Sequence, residues 1–160
     1  MSDTLYQATA PVIVRALNKL SALLDKAVEH GLPEAELMDA RLAPDMLAFP
    51  KQIQICSDTA KFAMARLTAT EGPGMPDTET TIEELKARIA RTVAYVQSVD
   101  SSLFAGAAER EIVLKFPSIE MSFTGEEYVN EFVLPNLFFH ISIAYALLRQ
   151  RGVKIGKGDF

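Results

Sequence analysis

Residues 111–152 read EIVLKFPSIEMSFTGEEYVNEFVLPNLFFHISIAYALLRQRG, and two periodicities meet in them. In the first part Ile112, Leu114 and Phe116 alternate with Glu111, Val113 and Lys115, and Ile119, Met121 and Phe123 alternate with Glu120 and Ser122. Side chains that point alternately to opposite faces give this period of two, so the stretch predicts two short strands joined at Pro117 and Ser118. Neither turn residue is a glycine or asparagine suited to positive φ, which argues for a connection wider than two residues. A lone hairpin is marginal in water, so its apolar side has to cover helices.

After Phe123 the period lengthens. Thr124 and Glu127 stand three apart, as in a capping box, and a helix is expected from about Gly125 to Arg151, ended by Gly152. Arg149 and Arg151 then lie near the negative end of its dipole. Pro135 lacks an N–H and leaves the Glu131 carbonyl without its helical partner, so a kink is expected there. Asn136 and His140 follow it on the line Phe132, Asn136, His140, Ile143 and Leu147, which is expected to face inward. Buried amide and imidazole groups need hydrogen bonds whether or not they do chemistry, so this pair reads first as the polar seam of a core.

Upstream the period of 3.6 dominates. From Thr4 to His30 the residues Ile13, Leu17, Leu20 and Leu24 form one stripe, with Pro11 either starting or kinking the helix, and Gly31 and Pro33 ending it. His30, beside Gly31, is expected to cap terminal carbonyls. EAELMDARLAPDMLAFP (34–50) has no sustained period and reads as a connector with one helical turn. A second long helix starts near Pro50, with Ile53, Cys56, Ala60, Ala63 and Leu67 on its buried face, the small residues among them letting a neighbour approach closely. Cys56 is read as a small core residue on that face. EGPGMPDTE (71–79) breaks it. A third begins with the capping box Thr81 and Glu84 and carries Ile82, Leu85, Ile89, Val93 and Val96.

These elements predict an all-α fold, an antiparallel four-helix bundle with a short β-hairpin inserted before the last helix, as a single domain over residues 1–160. At 160 residues and 49% hydrophobic content, about 68–70% of the unfolded chain's surface should be buried, enough for a core without disulfide or metal. With 21 acidic against 16 basic residues and no basic stripe, nucleic acid is not an expected partner. Cys56 is the only cysteine, so no internal disulfide forms. The N-terminus lacks a basic leader, and no apolar run reaches the roughly 18 residues of a membrane span, so a cytoplasmic protein with no membrane partner is expected. No phosphate loop, His-Glu-x-x-His, paired cysteines or nucleophile elbow is present, and the residues assign no enzymatic activity.

The order of three helices, a short polar hairpin and a long last helix with a histidine in its first third resembles the DinB-like (YfiT-like) superfamily of metal-dependent helical bundles. LAPDMLAFPKQIQICSDTAKFAMARL (42–67) and FVLPNLFFHISIAYALLRQRGVKIGKGDF (132–160) carry a closer resemblance to an uncharacterised bacterial branch, a domain of unknown function. The resemblance implies a divalent metal on three histidines, one from the second long helix and two at i, i+4 spacing on the last, and in some members a thiol-dependent transferase or isomerase activity.

This sequence departs from that pattern. The i, i+4 pair falls on Asn136 and His140, and the second long helix offers only Gln52, Gln54 and Asp58. Amides are feeble metal ligands beside neutral imidazoles. No cofactor is therefore expected, and the five residues Gln52, Gln54, Asp58, Asn136 and His140 are the candidates for a small-molecule pocket between the two helices. The alternative is a divergent transferase acting on a small thiol or thiol conjugate, with zinc or nickel held by Asp58, His140 and water. The aromatic residues Phe138, Phe139 and Tyr145 stand at helical spacings that suit core or subunit contact; aromatics that do not fit one bundle face favour a homodimer, which the resemblance also implies.

Overall fold

The computed structural model describes residues 2–160. Four long helices make the body: α1 (Ser2–His30), α3 (Phe49–Thr68), α4 (Ile82–Ser98) and α6 (Leu134–Gln150). A single-turn α2 (Glu34–Met38) lies in the first connector, and β1 (Glu111–Phe116) and β2 (Ile119–Thr124) form the hairpin before the last helical stretch, which opens with the short α5 (Gly125–Glu127). In cross-section α1 packs on α4, α4 on α3, α3 on α6 and α6 on α1, closing a ring around one core.

The stripes expected from sequence are the ones that close it. Ile13, Leu17, Leu20 and Leu24 of α1 and Ile53, Cys56, Ala60, Ala63 and Leu67 of α3 are fully buried. Each such leucine or isoleucine contributes about 1.5–3 kcal/mol relative to exposure. Helix ends follow local chemistry. Gly31 and Gly152 take positive φ, where Leu32 N–H reaches Ala27 O and Val153 N–H reaches Leu148 O. Both capping boxes form, Thr81 with Glu84 and Thr124 with Glu127. α1 runs through Pro11 without ending there.

Four expectations need correction. The hairpin register pairs Phe116 with Ile119, so its turn is only Pro117 and Ser118, and neither has positive φ. Proline presets the φ of the first turn position for a type I geometry. The resulting mismatch with strand twist falls at a tip beyond the core, where Phe116 and Ile119 are exposed while Ile112 and Leu114 are buried.

In the last stretch Pro135 is accommodated without a simple kink: Tyr128–Val133 forms a π-helical segment in which Leu134 N–H donates to Val129 O, five residues back. The α register resumes at Leu134, so Pro135 sits in a first turn, where no intrahelical donor is required. The buried residues are then Val129, Val133, Leu137, Ile141, Ala144 and Leu148, together with Leu147 of the expected line. Asn136 and His140 flank them, half-buried.

His30 is exposed, lies against Gly152, and makes no ring hydrogen bond among the described residues, so it is not a cap. Finally, Gly125–Gln150 is by length and composition alone apolar enough to cross a membrane. Its buried line is spent on α3 and the core.

Candidate functional site

Of the five residues singled out on sequence, Asn136 and His140 lie on α6, and the other three divide between two faces of α3. Gln52 and Thr59 are seven apart, about two turns, and point toward α6; Gln54 and Asp58 are four apart and point toward α4 and the 70–81 connection.

On the α6 side, His140 Nδ1 lies 2.7 Å from Gln52 Oε1, and Gln52 Nε2 donates to Leu47 O at 2.9 Å. The second bond fixes the amide: its NH₂ is turned to a carbonyl, so its oxygen faces the imidazole and must accept. His140 Nδ1 therefore carries the proton, and in the neutral ring Nε2 keeps its lone pair. Burial pushes the His140 pKa below the ordinary value, which favours that neutral form. One turn earlier, Asn136 Nδ2 donates to Thr59 Oγ1 at 3.1 Å. Between the two bonds the buried Cys56 thiol faces Leu137 O at 3.8 Å; burial pushes its pKa up, which suppresses the thiolate and leaves it a core residue. The arrangement offers a ligand one imidazole acceptor and the edge of an amide, both at the rim of the α3–α6 seam.

On the other side the chain builds a charged cluster that the sequence reading missed. Arg88 of α4 is 0% exposed. Its Nη2 donates to Asp58 Oδ1 at 2.9 Å, while Nη1 faces Pro76 O at 3.1 Å, Asp77 Oδ1 at 3.0 Å and Glu79 Oε2 at 3.2 Å. Lys61 shares Asp58 Oδ1, Gln54 Nε2 donates to Glu79 Oε2, and Lys51 pairs with Asp77 at 2.6 Å. Burial works against the Asp77 charge, yet the Lys51 hydrogen bond and the Arg88 charge together hold its pKa below the usual carboxylate range. Ser57 and Thr92 join α3 to α4 beside the cluster at 2.7 Å. The signal for Arg88 was its position: three after Leu85 and four before Thr92, a cation on the apolar line of α4.

Asp58 and His140 are thus not brought together. Asp58 is committed to Arg88 and Lys61, and among the described residues no three His, Cys, Asp or Glu side chains form a metal-holding group. Gln54 is likewise outside the seam. Only Gln52 joins His140, with Asn136 and Thr59 alongside.

Comparison with known proteins agrees with this architecture. Residues 5–160 match the family model described as domain of unknown function (DUF1993). A solved structure of a DinB family member protein from Shewanella denitrificans is 37% identical and superposes with a TM-score of 0.89, covering 99% of this chain and 92% of that one. No curated protein matches the chain.

Proposed function

Because the chain belongs to the domain of unknown function family DUF1993 and has a DinB-like fold, we propose that it is a non-catalytic, small-ligand-binding member of that superfamily whose metal site has become a polar seam. The observation that carries this reading is the Gln52–His140 hydrogen bond. The imidazole there is oriented by an amide itself anchored to Leu47 O, and the α3 side chain bonded to it is a poor metal ligand. A ligand would meet His140 Nε2 with a donor, and Asn136 would orient it from the next turn. We place the protein in the cytoplasm, with its one thiol buried.

Thermal and urea melts with and without chelator test the proposal. His140→Ala should lower stability by about 1–3 kcal/mol, because Gln52 Oε1 loses its donor, and by the same amount with chelator present. The wild type should be insensitive to chelation. If its melting point falls on chelation and that of His140→Ala does not move, the metal-dependent transferase reading replaces this one, since a ligand of the native state adds RT ln(1 + [L]/Kd). The same melts carry a pH arm. His140 has a folded pKa below its unfolded 6.5, so the native state binds fewer protons; its contribution is present above pH 6.5 and lost as pH falls through the folded pKa. The acid-side slope of the wild type should therefore be shallower in His140→Gln.

A homodimer through the outer face of α6 is part of the proposal. Phe139 is 54% exposed and Phe160 39%, and Phe138 and Tyr145 both lie against the Phe160 ring, at 6.4 and 6.1 Å between centroids. Such a patch on a monomer is an association surface. Light scattering should give twice the 17.6 kDa chain mass, and Phe138→Ser with Phe139→Ser should give the monomer. A monomeric wild type at micromolar concentration would remove the dimer.

A further inference from the structure

A groove of about 530 Å³ runs between the first half of α1 and the end of α4, on the opposite pair of helices from the His140 seam. That volume is within the range of small-molecule sites. Its floor is apolar: Ala10, Val14 and Val96 line it, with the Tyr6 ring at one end. Ala10 makes the recess, because a residue with only a Cβ faces the end of α4 there, and the adjacent Pro11 ring adds an apolar wall.

The other end is cationic. Arg15 and Lys19 both line the groove, four residues apart on one face of α1. Like charges at that spacing repel on an isolated helix. Among the described residues neither has a carboxylate within ion-pair distance, although the chain carries 21 acidic residues and a net charge of −5. Asp159 borders a neighbouring recess with Lys19 without pairing with it, so the apolar trough ends in two cations outside any ion pair and suits an apolar body ending in an anion.

We infer that the α1–α4 groove binds a small amphipathic carboxylate, its apolar body on Ala10, Val14 and Val96 and its carboxylate between Arg15 and Lys19. The two cations set the orientation, since a carboxylate accepts from both while its chain leaves water.

Calorimetric titration of the full chain with octanoate, octanol and octylamine at neutral pH tests this. Octanoate should bind at one site per chain, about tenfold tighter than octanol, and octylamine should be the weakest. Arg15→Gln with Lys19→Gln, both at exposed positions, should abolish the preference for octanoate over octanol without changing the melting point. Val14→Phe, which fills the floor, should weaken octanoate and octanol alike. His140→Ala should leave octanoate binding unchanged, so failure here is separate from failure of the seam proposal. Wild-type protein that binds octanoate no tighter than octanol, or a double glutamine variant that keeps the preference, overturns the inference. A double glutamine variant that instead changes the mass in light scattering assigns the groove to contact between copies, and overturns it too.

Discussion

Arg88→Ala should destabilise the protein by about 3–5 kcal/mol, the range for removing one partner of a buried ion pair. The cost arises from what is left behind. Asp58 loses its guanidinium partner and keeps Lys61, but Glu79, 5% exposed, keeps only the Gln54 amide and Arg91 at 3.8 Å, and Pro76 O loses its donor. Urea denaturation measures the loss directly. Arg91→Ala, at an exposed position at the edge of the same cluster, should cost less than about 0.5 kcal/mol. Arg88→Ala costing under about 1 kcal/mol would mean that the 70–81 connection is not held by this cluster.

The same variant has a pH signature with a definite sign. Asp77 has its pKa lowered in the folded chain, so it contributes stability above the unfolded carboxylate value of 3.8 and loses it as pH falls through the folded pKa. Removing Arg88 takes away one of the charges that lower it. The stability gap between wild type and Arg88→Ala should therefore narrow as pH drops below 3.8, because a protonated Asp77 no longer gains from the Arg88 charge.

Gly125→Ala should cost about 3 kcal/mol, the upper end for overpacking. A Cβ built there would lie 1.8 Å from Ala107 O, a backbone atom that cannot rotate away, and the next residue is tied to the same segment through Glu126 N–H to Ala108 O at 3.1 Å. Helix propensity predicts the reverse, since alanine is better than glycine by about 1 kcal/mol within a helix. The sign of the change in urea midpoint therefore separates close approach from propensity, and a variant as stable as wild type would sink the packing argument. Gly158→Ala, where an added Cβ meets nothing, should be near neutral.

Much of the fold was legible because its causes are local. The stripe Ile13, Leu17, Leu20 and Leu24, the boxes Thr81–Glu84 and Thr124–Glu127, and the alternation Ile112, Leu114 fix helices, helix starts and strands within a few residues of themselves. The line through Asn136 and His140 lies at the edge of the buried face, with Leu147 in the core and both polar side chains bonded to α3, because two adjacent lines on α6 are both rich in apolar residues and only contact with α3 decides which one is covered. Gln54 and Asp58 were grouped with His140 because they share a helix with Gln52; a rotation of 100° per residue sends them to another neighbour.

The sequence by itself therefore determined the element order, the two capping boxes and the buried stripes of α1 and α3, since periodicity and composition act along the chain. Tertiary structure alone decided the partners. Gln52 meets His140 across 88 positions, Asn136 meets Thr59 across 77, and Arg88 collects Asp58, Asp77 and Glu79 from a helix and a loop. Those pairings depend on how far each helix slides and turns against the next. That is set by the whole core packing at once, and no local pattern encodes it.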